Sequence, residues 1–322
     1  MNNTTPDFDI TPQDEAARAG WMYYVGGMTQ DQIARDMGIS RQRAQRLVSR
    51  AVADRLIHVR LEHPVAACME LEQALRRRFD LTCCRVAPSL GASADPVRAI
   101  APVAAEEVER FLRQPDPLVI ALGTGRALRA TVEEMSPVDA EQHRLVSLIG
   151  NIAPDGSASF FDVIMRIADK VRAPHYPMPV PVISETAEQN ALFHRLPPIR
   201  RVTDLARAAD VSFVGVGQMS NDAPLLQDGF VSREELDEMQ AMGATGEVAG
   251  WVYDSQGHYL DCGTNLRVGG VRIEPGRSAP IIGIAGGRSK HAAILAALRG
   301  RIINGLITDE DSARAILAAS QR

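Results

Sequence analysis

Three glycine-rich stretches set charged side chains beside bare backbone, a pairing suited to holding an oxygen-rich ligand. They are "ALGTGRAL" with Gly123, Thr124, Gly125 and Arg126, "GVGQMSND" with Gln218 and Asp222, and "IAGGRSKHAAILAALRG" with Lys290. Each follows a short apolar run, and the first and third open a helical pattern. Free amides at a helix start bind anions, and glycine lets a ligand approach them closely. Arg126, Arg288 and Lys290 add positive charge. One such loop is also an ordinary turn; three of them at strand ends point to a pocket for a phosphate or a polyol.

Acid–base chemistry has weaker support. Glu185, Glu188, Asp222, Glu247 and Asp254 lie near the ends of apolar runs, but carboxylates there also hydrogen-bond ligand hydroxyls or cap helices. His194 and His291 suit helix surfaces. The chain has no G-x-S-x-G elbow, no G-x-x-x-x-G-K-[ST] loop and no G-x-G-x-x-G after a first strand, so no catalytic residue is assigned. Cys68, Cys83, Cys84 and Cys262 lack C-x-x-C spacing, and the seven histidines fall in no metal-ligand pattern. Neither metal nor cofactor is expected, and the cysteines read as small buried hydrophobes.

A second chemistry stands near the N-terminus, in "MTQDQIARDMGISRQRAQRLVSRAV" from Met28 to Val52. Ala44, Leu47, Val48 and Ala51 recur at i, i+3, i+4 and i+7 and must face inward. That leaves Arg41, Gln42, Arg43, Gln45, Arg46, Ser49 and Arg50 outward, with no acid among them. Arginine reads guanine and glutamine reads adenine in the major groove, and phosphates attract the remaining cations. Thr29 with Gln32 makes a T-x-x-Q capping box, Gly38 and Ile39 a turn, and Ser40 a second cap. The expectation is a helix-turn-helix contacting operator DNA through Thr29, Ser40, Arg41, Gln42, Arg43, Gln45, Arg46 and Arg50. Between Glu15 and Arg60 eight arginines face four acids, although the whole chain carries −5. A basic head on an acidic body fits that expectation. The following "RLIHVRLEHP" alternates like the strand of a small wing.

These residues need a frame. A chain of 322 residues is expected to form about two domains. We divide it into a tail at 1–13, a helix-turn-helix domain at 14–63, and an effector and oligomerisation domain at 64–322. In the head a first helix begins near Asp14, with Ala17, Trp21, Tyr24 and Val25 at helical spacing; "ACMELEQALRRRFD" is a helix linking head to body. No apolar run approaches the roughly 18 residues of a membrane helix, and the polar start is neither signal nor transit peptide; a cytoplasmic protein with no membrane partner is expected. In the body, "LVIALG" (118–123), "RLVSLIG" (144–150), "VPVISE" (180–185), "VSFVGVG" (211–217), "EVAGWVYD" (247–254) and "PIIGIAGG" (280–287) alternate with helical segments. Nearly continuous apolar runs are strands buried on both faces of a parallel sheet, hence an α/β, Rossmann-like body. Ligands of such sheets sit beyond the carboxyl ends of the strands. Only Lys170 and Lys290 among the 35 basic residues are lysines, which singles out Lys290 in its loop.

The chain resembles the SorC family of bacterial sugar-sensing transcriptional regulators along nearly its whole length. The resemblance is carried by "GWMYYVGGMTQDQIARDMGISRQRAQRLVSRA", "VSFVGVGQMSND", "GATGEVAGWVYDSQGHYLD" and "GIAGGRSKHAAILAALRGRIINGLITDEDSARAIL". It implies a winged helix-turn-helix on an effector domain shaped like sugar-phosphate isomerases, dimers pairing into tetramers, and a carbohydrate inducer, often phosphorylated. By position, Gly123, Thr124 and Gly125 match the first effector loop, Glu247 the acidic position after G-x-x-G, and Lys290 the phosphate-proximal lysine. Many members carry aspartate where Glu247 stands, and Arg126 replaces an uncharged or acidic residue, so a polyol or pentose fits as well as a phosphosugar. The alternative is an isomerase-like enzyme with an appended regulatory head.

Overall fold

In the computed structural model, which describes residues 11–57, 65–91, 93–158 and 163–321, the chain divides into one unit at Met1–His63 and another at Pro64–Arg322. The first helix, α1 (Pro12–Tyr24), starts earlier than periodicity indicates. Thr11 accepts the amide of Asp14, whose carboxylate bonds back to the Thr11 amide, and proline stands in the first turn. Residues 11–13, assigned above to the tail, therefore belong to the cap and first turn of this helix.

Its buried face also differs from the expected one. Ala16, Ala19 and Gly20 face inward, while Trp21, Tyr24 and Val25 are exposed. A Cβ on Gly20 would collide with the side chains of Ala51 and Ile57, so close packing selects the small residues over the large ones. Thr29 opens α2 (Gln30–Asp36) with the expected capping box. Gly38 at φ +64° makes the turn, and Ser40 accepts the Arg43 amide to start α3 (Arg41–Ala53). Ile33, Ala34, Ala44, Leu47, Val48 and Ala51 close the core against α1, with Met28, Met37 and Ile39 packed on it. Of the segment expected to form the wing, 55–64, Arg55 at φ +56° and Leu56 continue the turn that ends α3, and 58–64 lie outside the described residues.

The second unit runs α4 (Ala66–Phe79), β1 (Cys83–Ala87), α5 (Pro96–Leu112), β2 (Val119–Leu122), α6 (Arg126–Glu134), β3 (Val138–Asp139), β4 (Arg144–Ile152), α7 (Ile164–Ala168), β5 (Val171–Arg172) and β6 (His175–Pro181). It continues through α8 (Ala187–Arg195), α9 (Pro197–Arg207), β7 (Val211–Gly215), β8 (Gly217–Gln218), α10 (Pro224–Gln227), α11 (Arg233–Ala241), β9 (Gly246–Val248) and β10 (Trp251–Tyr253). It ends with α12 (Gly263–Arg267), β11 (Ile281–Ile284), a 3₁₀ turn at Arg288–Lys290, α13 (His291–Arg299), β12 (Gly305–Asp309) and α14 (Glu310–Ser320).

Seven strands form one parallel sheet in the order β1-β12-β11-β7-β2-β4-β6. Because side chains alternate across a strand, each central strand feeds two cores. In β2, Val119 and Ala121 enter one cluster while Ile120 and Leu122 enter the other. In β7, Val214 joins the first and Val211 and Phe213 the second. All four cysteines are buried and free.

Two apolar runs do not become the strands they suggest. "VPVISE" lies mostly beyond β6, which instead spans 175–181 and contains Pro177, Pro179 and Pro181. Proline cannot donate to a ladder and is tolerated only at an edge, and β6 is the edge strand. "EVAGWVYD" is no strand of the parallel sheet but an antiparallel hairpin, β9 against β10, joined by Ala249 at φ +51° and Gly250 at φ +82°, with β8 pairing on β9. Two successive positive φ values suit the tight two-residue turns that reverse a hairpin. Strands β1 and β12, short and mixed in composition, complete the other edge.

Candidate functional site

The chain builds β2, β4 and β6 outward in one direction and then returns to build β7 on the other side of β2. Loops leaving two such neighbouring strands diverge to opposite faces of the sheet and leave a crevice at the carboxyl ends. Strands β2, β7 and β11 are consecutive neighbours, so the three glycine-rich loops converge there. The close fit begins at Gly123, whose amide donates to Phe213 O at 2.8 Å and whose Cβ, if present, would stand 3.3 Å from Val214 Cα.

The resulting pocket has Thr124, Gly125, Arg126 and Ala127 on one side and Gly215, Val216 and Gly217 on the other. Ile284 and Lys290 come from the third loop, Glu247, Ala249 and Gly250 from the hairpin, and Ile149 and Val182 supply apolar wall. Pro224, Leu225, Asp228 and Phe230 come from the segment around α10. Five of the eight expected effector residues thus line it: Thr124, Gly125, Arg126, Glu247 and Lys290. Gly123, Gln218 and Asp222 do not. Gln218 is buried behind the lining with its amide nitrogen 3.4 Å from Asp222 O. Asp222 is exposed and accepts a bond from Ser220 Oγ at 2.7 Å, which lowers its pKa.

Glu247 is the one carboxylate of the five acid–base candidates in this pocket. Its Oε2 accepts the Gly250 amide at 2.8 Å. A Cβ on Gly217 would collide with Oε1, so only glycine leaves room for the carboxylate here. Burial pushes the Glu247 pKa up, offset in part by the Gly250 amide and the charge of Lys290. Burial pushes Lys290 down, with Glu247 acting in the opposite direction. Lys290 Nζ donates to Val216 O at 2.7 Å. Arg126 is joined to Asp228 at 2.9 Å, and burial raises the Asp228 pKa against the pull of that arginine.

The third loop departs from the expected anion cradle. A 3₁₀ turn separates Gly287 from α13, and the Gly287 amide is taken by Asp309 Oδ2 at 3.0 Å and Ser312 Oγ at 2.8 Å. His291 Nε2 lies 3.1 Å from the same hydroxyl, so this histidine belongs to the loop's support. Lys290 reaches the pocket through its side chain instead. The residues that sequence reasoning missed, Asp228, Phe230, Ile149 and Val182, come from segments without any motif; only proximity in the fold assembles them.

In the head, Arg41, Gln42, Arg43, Gln45, Arg46, Ser49 and Arg50 are all exposed on α3. The outward face nevertheless has acid partners from elsewhere. Arg43 meets Glu15 at 2.9 Å, Arg50 meets Asp54 at 2.8 Å, and Arg41 meets Asp31 at 3.4 Å. Asp54 is the C-cap of α3, four residues after Arg50, while Glu15 and Asp31 come from α1 and α2, where the pattern of α3 does not reach. Thr29 engages its hydroxyl with Gln32, and Ser40 accepts the Arg43 amide at 3.2 Å. Among the described residues, Gln42 and Gln45 make no side-chain hydrogen bond, and Arg46 makes only a 3.4 Å contact to Gln42 O.

A turn-linked helix pair ahead of a parallel α/β body with a polar pocket at its switch point defines a ligand-responsive transcriptional regulator. A family model described as "Putative sugar-binding domain" matches residues 63–318. The erythritol catabolism regulatory protein EryD of Brucella abortus is 34% identical over 302 residues, 94% of this chain and 96% of that protein. The transcriptional regulator LsrR of Escherichia coli K12 is 32% identical over 315 residues, 95% of each chain. The crystal structure of the full-length sorbitol operon regulator SorC from Klebsiella pneumoniae aligns with a TM-score of 0.71 at 26% identity, covering 94% of this chain and 97% of that one. The chain belongs to the SorC family of sugar-sensing transcriptional regulators. Among the described residues no helix is long and apolar enough to cross a membrane.

Proposed function

We propose that the pocket at the β2–β7 switch point binds a carbohydrate or polyol effector that controls operator binding by α3. The observation that carries the effector half is the convergence of Thr124, Arg126, Glu247 and Lys290 on one pocket with apolar walls. A few polar groups on an apolar lining hold and orient a small ligand. Glu247 and Lys290 supply an acceptor and a donor for hydroxyl groups, and the amides at the start of α6 supply further donors. Gly123 and Gln218 shape the wall from behind, and Asp222 holds the second loop through Ser220. The Brucella relative, named for erythritol catabolism, puts small polyols among the first probes.

On the DNA side, Gln42, Gln45 and Arg46 are the groups free to reach base edges, while Arg41 and Arg50 sit toward the helix ends and suit phosphates. Thr29 and Ser40 mark helix starts whose amides favour a phosphate. Arg43, bound to Glu15, braces α3 against α1. One head reads few base pairs, so paired heads in a dimer or tetramer are required for specificity. The test is a shift of the chain's own upstream DNA by the full-length protein, repeated with sugars, polyols and their phosphates. Turnover of a phosphosugar in place of any DNA shift would favour the enzyme reading instead.

A further inference from the structure

We infer that the pocket selects an uncharged polyol or sugar over its phosphate ester, because its charges are already balanced and Glu247 demands a hydrogen-bond donor. This rests on the effector reading above and narrows it to a ligand class.

Among the described residues, the ionisable groups lining the pocket are Arg126, Asp228, Glu247 and Lys290, two of each sign. Arg126 and Asp228 are joined directly at 2.9 Å. Lys290 and Glu247 are not in direct contact, yet each feels the other's charge. A phosphate ester brings about −1.5 to −2 charges and oxygens that mainly accept. It would find no uncompensated cation in the lining and would face two carboxylates.

The hydrogen-bond inventory points the same way. With Oε2 on the Gly250 amide, Oε1 of Glu247 has no partner among the described residues. Lys290, with three protons, uses one on Val216 O. An acceptor beside spare donors matches a hydroxyl, which gives one proton and accepts others. Amides at the start of α6, which has no side-chain cap at Gly125, suit a hydroxyl oxygen as well as a phosphate oxygen. The adjoining groove is compensated only in part, its Arg126, Arg129, Arg288 and Lys290 standing against Asp95 and Glu133. Arg129 holds Glu133 at 3.0 Å, Asp95 caps α5 through the Val97 amide at 3.0 Å, and Asp309 occupies the Gly287 amide. Arg288 remains as an exposed cation on its rim, where water screens it.

The experiment is calorimetric titration of the full-length protein with erythritol, ribitol and glucitol, each beside its terminal phosphate ester, with inorganic phosphate as competitor. The expected result is binding of at least one neutral polyol, with its ester about tenfold or more weaker because like charges oppose it. An ester that binds equally or better, or inorganic phosphate that displaces the polyol, overturns the inference. If such an ester also releases operator DNA, the regulator reading survives and only the choice of ligand class fails. If no carbohydrate of either kind binds, both fall. Asp228→Asn removes one opposing charge and should shift the preference about tenfold toward the ester; an unchanged ratio refutes the charge argument. Glu247→Gln makes the same test if the first variant does not fold.

Discussion

Glu247 Oε2 accepts the amide of Gly250 at 2.8 Å across the turn between β9 and β10, and this bond decides which carboxylate oxygen faces the pocket. Burial raises the Glu247 pKa above its ordinary 4.5. A raised carboxyl pKa means that the folded chain holds the proton more tightly than the unfolded one. Its contribution to stability is therefore full at acid pH and is lost as pH rises through the raised value. Glu247→Gln, neutral throughout and still able to accept the Gly250 amide, should be more stable than the parent at pH 7. The gap should close below about pH 4. Urea melts across this range check it, and a gap that widens toward acid would contradict the assignment.

Gly217→Ala places a Cβ against the Glu247 carboxylate. The expected cost is about 1–3 kcal/mol of stability, as for overpacking elsewhere, together with weaker effector binding as Glu247 is displaced. Unchanged denaturation and titration curves would show that the carboxylate moves freely.

Ala249 holds φ +51° in the hairpin turn, a conformation that costs an L-residue about 1–2 kcal/mol. Ala249→Gly should relieve part of this, less the entropy that glycine loses on folding. The net gain should be a few tenths of a kcal/mol or more, read from the denaturation midpoint. A loss of stability would mean that the methyl group's packing in the pocket wall outweighs the strain.

Lys290→Met keeps the aliphatic stem but removes the donor to Val216 and to the ligand. Operator binding should persist while the effector no longer changes it. Titrating the operator complex of parent and variant separates the outcomes, and an unaltered response would take Lys290 out of the site.

On α3, Arg46→Ala should cost about 1–3 kcal/mol of specific DNA binding and relax one base position. Arg43→Ala should instead cost about 0.2–1 kcal/mol of head stability through the lost Glu15 pair, with base preference unchanged. Footprints on a set of operator variants, beside thermal melts, distinguish the two; matching effects would mean that both arginines do the same work.

Much of this protein was legible from local pattern, because local pattern expresses local physics. The caps at Thr29 and Ser40, the buried stripe of Ala44, Leu47, Val48 and Ala51, and the apolar runs at 118–123 and 211–217 depend on neighbours within a turn or a strand. The glycine loops, Glu247 and Lys290 were visible for the same reason. Tertiary structure alone decided what those groups meet. Arg43 lies 28 residues from Glu15 and Arg126 lies 102 residues from Asp228; no periodicity connects such distant partners. Proline-rich β6 is a strand only because it stands at the sheet's edge, and Trp21 is outside only because alanine and glycine pack more closely. The Gly287 amide is unavailable because β12 and α14 bring Asp309 and Ser312, 22 and 25 residues on, against it. Sequence set the elements and their chemistry; long-range contact set which charges meet and balance.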